Sequence, residues 1–125
     1  MLVQNPEVIM EGRLRTMARE ARNGIKTIYM HWTAGHYGQD YDDYHLCIDR
    51  DGTVYVNCKH FTEYKFHTWM RNHSAIGIAL CCGVDARCWL PDSNCYGKLQ
   101  PGGEMLRGKA VFYRNLREQG LVDRN

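Results

Sequence analysis

Tyr44-His45-Leu46-Cys47-Ile48-Asp49-Arg50-Asp51-Gly52-Thr53-Val54-Tyr55-Val56 is the stretch whose reading decides the fold. Two β-favouring runs, residues 44–48 and 53–56, flank Asp51-Gly52. An Asp-Gly pair between such runs is a strong hairpin signal, because glycine enters the turn's positive φ region without steric cost. Two antiparallel strands with a turn over residues 49–52 are therefore predicted.

The chain reads outward from this hairpin in both directions. Upstream, Ile25-Lys26-Thr27-Ile28-Tyr29-Met30 is β-rich and delivers His31-Trp32-Thr33-Ala34-Gly35 at its end. Downstream, residues 75–81 read as another strand, with Gly77 and Ala79 on a small side and Ile76, Ile78 and Leu80 facing the other way. The small side would permit close approach by a helix or a neighbouring backbone. A helix is predicted over about residues 7–22: Asn5-Pro6 has the form of a start, Met10, Leu14, Met17 and Ala21 recur at helical spacing, and Asn23-Gly24 is a stop. Residues 83–103 are turn-rich. A second helix is predicted from Glu104, with Met105, Phe112 and Leu116 as its stripe, Ala110 and Tyr113 widening it, and Gly120 ending it. The order helix, strand, hairpin, strand, helix predicts one α/β domain, a central mixed sheet with helices packed on it.

Composition bounds the function. The 125 residues fit one domain, and 44% apolar with 24% charged residues is globular composition. A net charge of +2 is too weak to point to nucleic acid. No apolar run is long enough to cross a membrane, so no integral membrane association is expected. The first residues lack a basic start followed by an apolar stretch, so no signal peptide is read. Six cysteines and six histidines are the compositional signal, with every histidine between His31 and His73. The cysteine spacings contain no CxxC, and without an export signal mostly free thiols in a reducing compartment are expected.

Several residues carry chemistry. His31 sits where a strand gives way to a loop; it either serves a metal or catalytic site or bonds the loop backbone. Tyr44 and His45 would face opposite sides of a strand, so only one of them is expected to share a site with His31. Tyr44 could donate a proton or orient a water there, or be a core aromatic. His67 could bind substrate, bind metal or bond a polar loop. Cys81 ends a strand as His31 does, and a thiolate with an imidazole would suit zinc. His36, His60 and His73 read as exposed loop residues.

Three segments together resemble a known family. Ile28-Tyr29-Met30-His31-Trp32-Thr33-Ala34-Gly35 resembles its first zinc-binding strand and turn. Residues 44–55 resemble its YH-hydrophobic-IDRDG-hydrophobic-Y hairpin. His67-Thr68-Trp69-Met70-Arg71-Asn72-His73-Ser74-Ala75-Ile76-Gly77-Ile78 resembles its segment running from a His through an Asn to IGI. The family is the type 2 zinc-dependent N-acetylmuramoyl-L-alanine amidases, which include amidase-type phage lysozymes and peptidoglycan recognition proteins. The likeness spans about residues 25–82.

The resemblance implies a mixed sheet flanked by helices, and hydrolysis of the amide between the lactyl group of N-acetylmuramic acid and L-alanine. Zn2+ would polarise the carbonyl and activate water. His31 would be a metal ligand and Tyr44 a catalytic residue. His67, Arg71, Asn72, Trp32 and Thr33 would line the groove, with the Arg71 fork suited to a stem-peptide carboxylate. Cys81 falls near where some members carry an acidic residue. The implied partner is peptidoglycan, reached after phage- or prophage-type release.

The chain also departs from the pattern. Two further zinc ligands would come from a late segment, a His and then a Cys or Asp, but no His follows His73. The resemblance therefore implies a C-terminally truncated or frame-altered member without activity, one with substitute ligands such as Cys81, Cys82 or His67, or a binding module that grips peptidoglycan without cutting it.

Overall fold

The computed structural model describes residues 1–68, 72–84 and 102–120. In chain order the elements are β1 (Glu7–Val8), α1 (Glu11–Ala21), β2 (Thr27–Trp32), β3 (Leu46–Ile48), β4 (Val54–Val56), β5 (Ala75–Leu80) and α2 (Gly103–Glu118). The strands form one mixed five-stranded sheet in the order β1-β4-β3-β5-β2. β2 and β3 each pair with β5 in parallel, while β3, β4 and β1 pair antiparallel. The α/β class expected from the order of elements is the one observed.

The hairpin forms as its sequence dictates. Gly52 takes φ +90, the Gly52 N–H donates to the Asp49 carbonyl at 3.0 Å, and the Asp49 N–H to the Thr53 carbonyl at 2.8 Å. The Asp49 carboxylate is nearly buried and fully used. It accepts from the backbone N–H groups of Gly38 and Arg50 and from the Tyr55 hydroxyl.

Register separates two chemistries. Met30, Ile78, Leu46 and Val56 form one row across the sheet, and Trp32, Leu80, Ile48 and Val54 a second row on the same face. The opposite face carries His31, Ala79, Cys47 and Tyr55 in one row and Tyr29 beside Gly77 in the next. The aliphatic rows share a core with Leu14, Met17 and Ala21 of α1 and Met105, Phe112 and Leu116 of α2. Burying each Leu, Ile, Met or Phe among them stabilises the fold by about 1.5–3 kcal/mol. Polar groups register the helices against each other: Arg15 donates to the buried Asn115 Oδ1 at 2.7 Å and pairs with Glu118, and Arg19 donates to Gln119 at 3.1 Å.

The first helix departs from expectation. It starts at Glu11, not at residue 7, and its N-cap is Met10, with no side-chain cap from Asn5. Glu7 and Val8 instead pair with Val56 and Tyr55, and the Ile9 N–H donates to the Val54 carbonyl at 2.9 Å. The physical reason is that β4 would otherwise be a bare edge, and the β-branched Val8 and Ile9 suit a strand better than a helical turn. Met10, placed in the apolar stripe by spacing, is 74% exposed. Ala110 is also exposed, so it does not widen the stripe of α2, whereas Tyr113 packs against the core.

Two strand ends also shift. β2 runs on to Trp32 because the parallel pairing with β5 continues, Trp32 beside Leu80. His31 is thus a strand residue, not a loop residue. β3 begins only at Leu46: the Tyr44 carbonyl turns away to accept from the Asn57 side chain at 3.2 Å. Cys47, Cys58, Cys81 and Cys82 are free, as expected, and buried. Cys88, Cys95 and most of the turn-rich stretch lie outside the described residues.

Candidate functional site

The site lies on the polar face of the sheet and starts from Gly77. Lacking a side chain, Gly77 lets the ring of His67 rest on β5; a Cβ at Gly77 would stand 2.5 Å from His67 Cγ. This is the close approach expected at the small side of the strand, but a side chain makes it, not a helix or backbone. On the neighbouring strand His31 points from the same face, and its Nε2 lies 3.1 Å from His67 Nδ1. The two rings meet edge to face with centroids 5.1 Å apart. The ring of Tyr44 stands 5.3 Å from that of His31. Tyr29 closes one side, 6.5 Å from His31 and 6.0 Å from His67.

His67 is held by its loop. Asn72, 6% exposed, accepts through Oδ1 from the His67 N–H at 3.1 Å, the Thr68 N–H at 2.8 Å and the Thr68 hydroxyl at 2.9 Å, and its Nδ2 donates to the Thr68 carbonyl at 3.1 Å. Asn72 thus ties the end of the loop that presents His67. Arg71 lies outside the described residues.

Burial sets the protonation states. It pushes the Tyr44 phenol up to about 12, with Cys47, Asp43 and Tyr41 adding to it, so Tyr44 keeps its proton at neutral pH and is a donor. Burial lowers His31. It lowers His67 to about 4, helped by the neighbouring His31 and His45. At neutral pH the pair is therefore two uncharged imidazoles sharing one proton contact. Among the described residues His67 Nε2 is buried without a hydrogen-bond partner of good geometry, the Ala75 backbone being the polar group that raises its affinity for a proton.

The remaining expected residues sit elsewhere. Trp32 points from the aliphatic face, where it packs against the core and over Gly83; a Cβ on Gly83 would meet Trp32 Cδ1 at 2.8 Å. Thr33 braces the turn after β2: its hydroxyl accepts from the Gly35 N–H at 3.2 Å and donates to the Cys82 carbonyl at 3.4 Å. Between them Ala34 holds φ 60, a left-handed conformation that costs a non-glycine residue roughly 1–2 kcal/mol. Cys81 approaches Cys47: their thiol contact, with burial, raises the Cys47 thiol far above its ordinary range. His36, His60 and His73 are exposed, as expected.

One expectation fails for a geometric reason. Tyr44 and His45 were expected to face opposite sides of a strand, yet both rings reach the cluster, Tyr44 beside His31 and His45 5.8 Å from His67. Strict alternation holds only inside a regular strand, and both residues precede β3. His45 and Tyr29 are the members that sequence reasoning missed. The signal for His45 was its place beside Tyr44 in the hairpin motif.

The donor set does not make a complete zinc shell. A catalytic zinc takes three protein ligands. Among the described residues no group of three His, Cys, Asp or Glu side chains is placed to hold a metal ion. His45 cannot join His31 and His67, because the Gly77 N–H donates to its Nδ1 at 3.0 Å and its Nε2 bonds the Glu63 carbonyl at 2.6 Å. Among the described residues no helix is long and apolar enough to cross a membrane. In comparisons with known proteins, no protein-family model, no curated protein and no solved structure matches the chain.

Proposed function

We propose that this chain is an amidase-type domain that acts on peptidoglycan at the amide between N-acetylmuramic acid and L-alanine. The observation that carries this reading is convergence. His31, Tyr44 and His67 come from three separate segments, each singled out by its likeness to the amidases, and they meet on one face of the sheet within ring distances of 5.1 and 5.3 Å.

The chemistry of the cluster suits an amide. Tyr44 holds its proton and can hydrogen-bond the oxygen of a carbonyl under attack. His31 and His67 are neutral, so each offers a lone pair or an N–H as its tautomer requires. Zinc, where bound, would polarise the carbonyl and activate water. In this reading His31 would be its ligand, as the resemblance of its segment implies.

The test is incubation of purified peptidoglycan with the chain, with added zinc or with a chelator, followed by mass spectrometry of the soluble products. Stem peptides with a free L-alanine amine, lost on chelation, are the expected result. Tyr44→Phe should slow release by roughly a hundredfold or more while retaining binding. The absence of both binding and release would overturn the reading. A second reading, a module that binds peptidoglycan without cutting it, is favoured by His45 having both ring nitrogens occupied. Sedimentation with peptidoglycan, with no released peptides at any zinc level, would select it.

A further inference from the structure

His45 is fully buried, and both of its ring nitrogens are used. Nδ1 accepts the Gly77 N–H at 3.0 Å, so the proton is on Nε2, which donates to the Glu63 carbonyl at 2.6 Å. These partners are the strand under the His67 ring and the loop that leads to His67. Gly77 is the strand floor under the His67 ring. Glu63 lies four residues before His67 on the loop that ends in it.

The rest of that loop explains why this link matters. The Glu63 carboxylate works within the loop, accepting from the Lys59 N–H at 2.6 Å and the His60 N–H at 3.3 Å. Phe61 anchors it in the core. Beyond Glu63 the next two aromatics, Tyr64 and Phe66, are exposed and pack on each other. The Asn72 bonds begin again only at His67. Through its carbonyl, Glu63 ties the loop to the sheet by way of one imidazole. That imidazole also replaces the backbone acceptor that a longer β3 would have offered Gly77.

We infer that His45 is a positioning residue for the candidate site. Its ring acts as a spacer between β5 and the 59–68 loop. It sets the height of His67 over Gly77, and with it the 3.1 Å contact between His67 and His31. The inference rests on reading His31, Tyr44 and His67 as one functional site, but its first test needs no substrate.

That test is nuclear magnetic resonance of the histidine rings in the full chain near neutral pH. His45 is expected as the Nε2–H tautomer, with a ring-to-ring Overhauser contact between His31 and His67. His45→Phe keeps an aromatic ring but loses both bonds. It should abolish the His31–His67 contact while the core methyl signals of Ile76 and Ile78 stay in place. His45→Gln, which offers both an acceptor and a donor, should restore the contact in part. A His31–His67 contact that persists unchanged in folded His45→Phe overturns the inference, as does an Nδ1–H tautomer of His45. Where His45→Phe does not fold, His45→Gln decides: ring signals of His67 identical to those of the unaltered chain overturn it.

A second readout uses peptidoglycan. His45→Phe should lower kcat on the order of a hundredfold with KM little changed, since misplacing a reacting group by about an ångström has that effect. An equal loss in an inert surface variant would overturn the assignment. An unaltered chain that releases no peptide defeats the proposed hydrolysis, whereas the ring contact still reports on His45.

Discussion

Gly77 lies under the ring of His67, and its missing side chain is what admits that ring to the sheet. Gly77→Ala should therefore displace His67. The added Cβ would meet three ring atoms between 2.5 and 2.8 Å. Overpacking of this kind costs about 1–3 kcal/mol. The expected outcome is a lower melting temperature together with loss of the His31–His67 contact; an unchanged contact would show that the ring has room elsewhere. Protonation is argued at the same scale. His67 titrates at about 4 in the folded chain, below the ordinary histidine value near 6.5. Between those values the unfolded chain binds more protons than the folded one, so stability rises with pH across the window and is lost as pH falls from about 6.5 towards 4. Melting curves across that range should show the loss, and His67→Gln should flatten it. A slope identical in His67→Gln would assign the effect to His31 and His45, which burial lowers too.

The elements divide by how local their causes are. The 49–52 turn, β5 and α2 were legible because Asp51-Gly52, the alternation around Gly77 and the Met105-Phe112-Leu116 stripe each act within a few residues. β1 was not. The stripe from Met10 to Ala21 and the Asn5-Pro6 start argued for a longer helix, and only the open edge of β4, far along the chain, draws Glu7 and Val8 into the sheet. Ile9→Pro separates the two accounts. In the first turn of a helix proline is tolerated. In the observed structure it removes the Ile9–Val54 hydrogen bond and a buried side chain, and it should cost about 2–5 kcal/mol by urea unfolding. Unchanged stability would restore the longer helix. The candidate site shows the same division. His31, Tyr44 and His67 were legible from their motif segments. His45 and Tyr29 were not, since they depend on where β3 starts and on β2 lying beside β5.

For the whole molecule, the four described cysteines test how closed the interior is. All are buried, and burial pushes the Cys58 thiol up to about 12 and that of Cys82 to about 11. Only a thiolate reacts quickly with a thiol reagent. Peptide mapping after labelling at neutral pH should find Cys47, Cys58, Cys81 and Cys82 unmodified in the native protein and modified in urea. Rapid native labelling of these four would contradict the packing described.

The place of β5 between β2 and β3 also dictates an order of events as the chain is made. β3 and β4 can close as a hairpin once both have left the ribosome, since they are neighbours in sequence. β2 emerges earlier, but its strand partner is β5, so it waits without one while the hairpin forms. Pairing over such separations is slow, because a long loop must close before any contact rewards it. His31 and His67 therefore meet only when β5 slides between the earlier strands. Until that strand joins the sheet, the chain carries the residues of the site without the site.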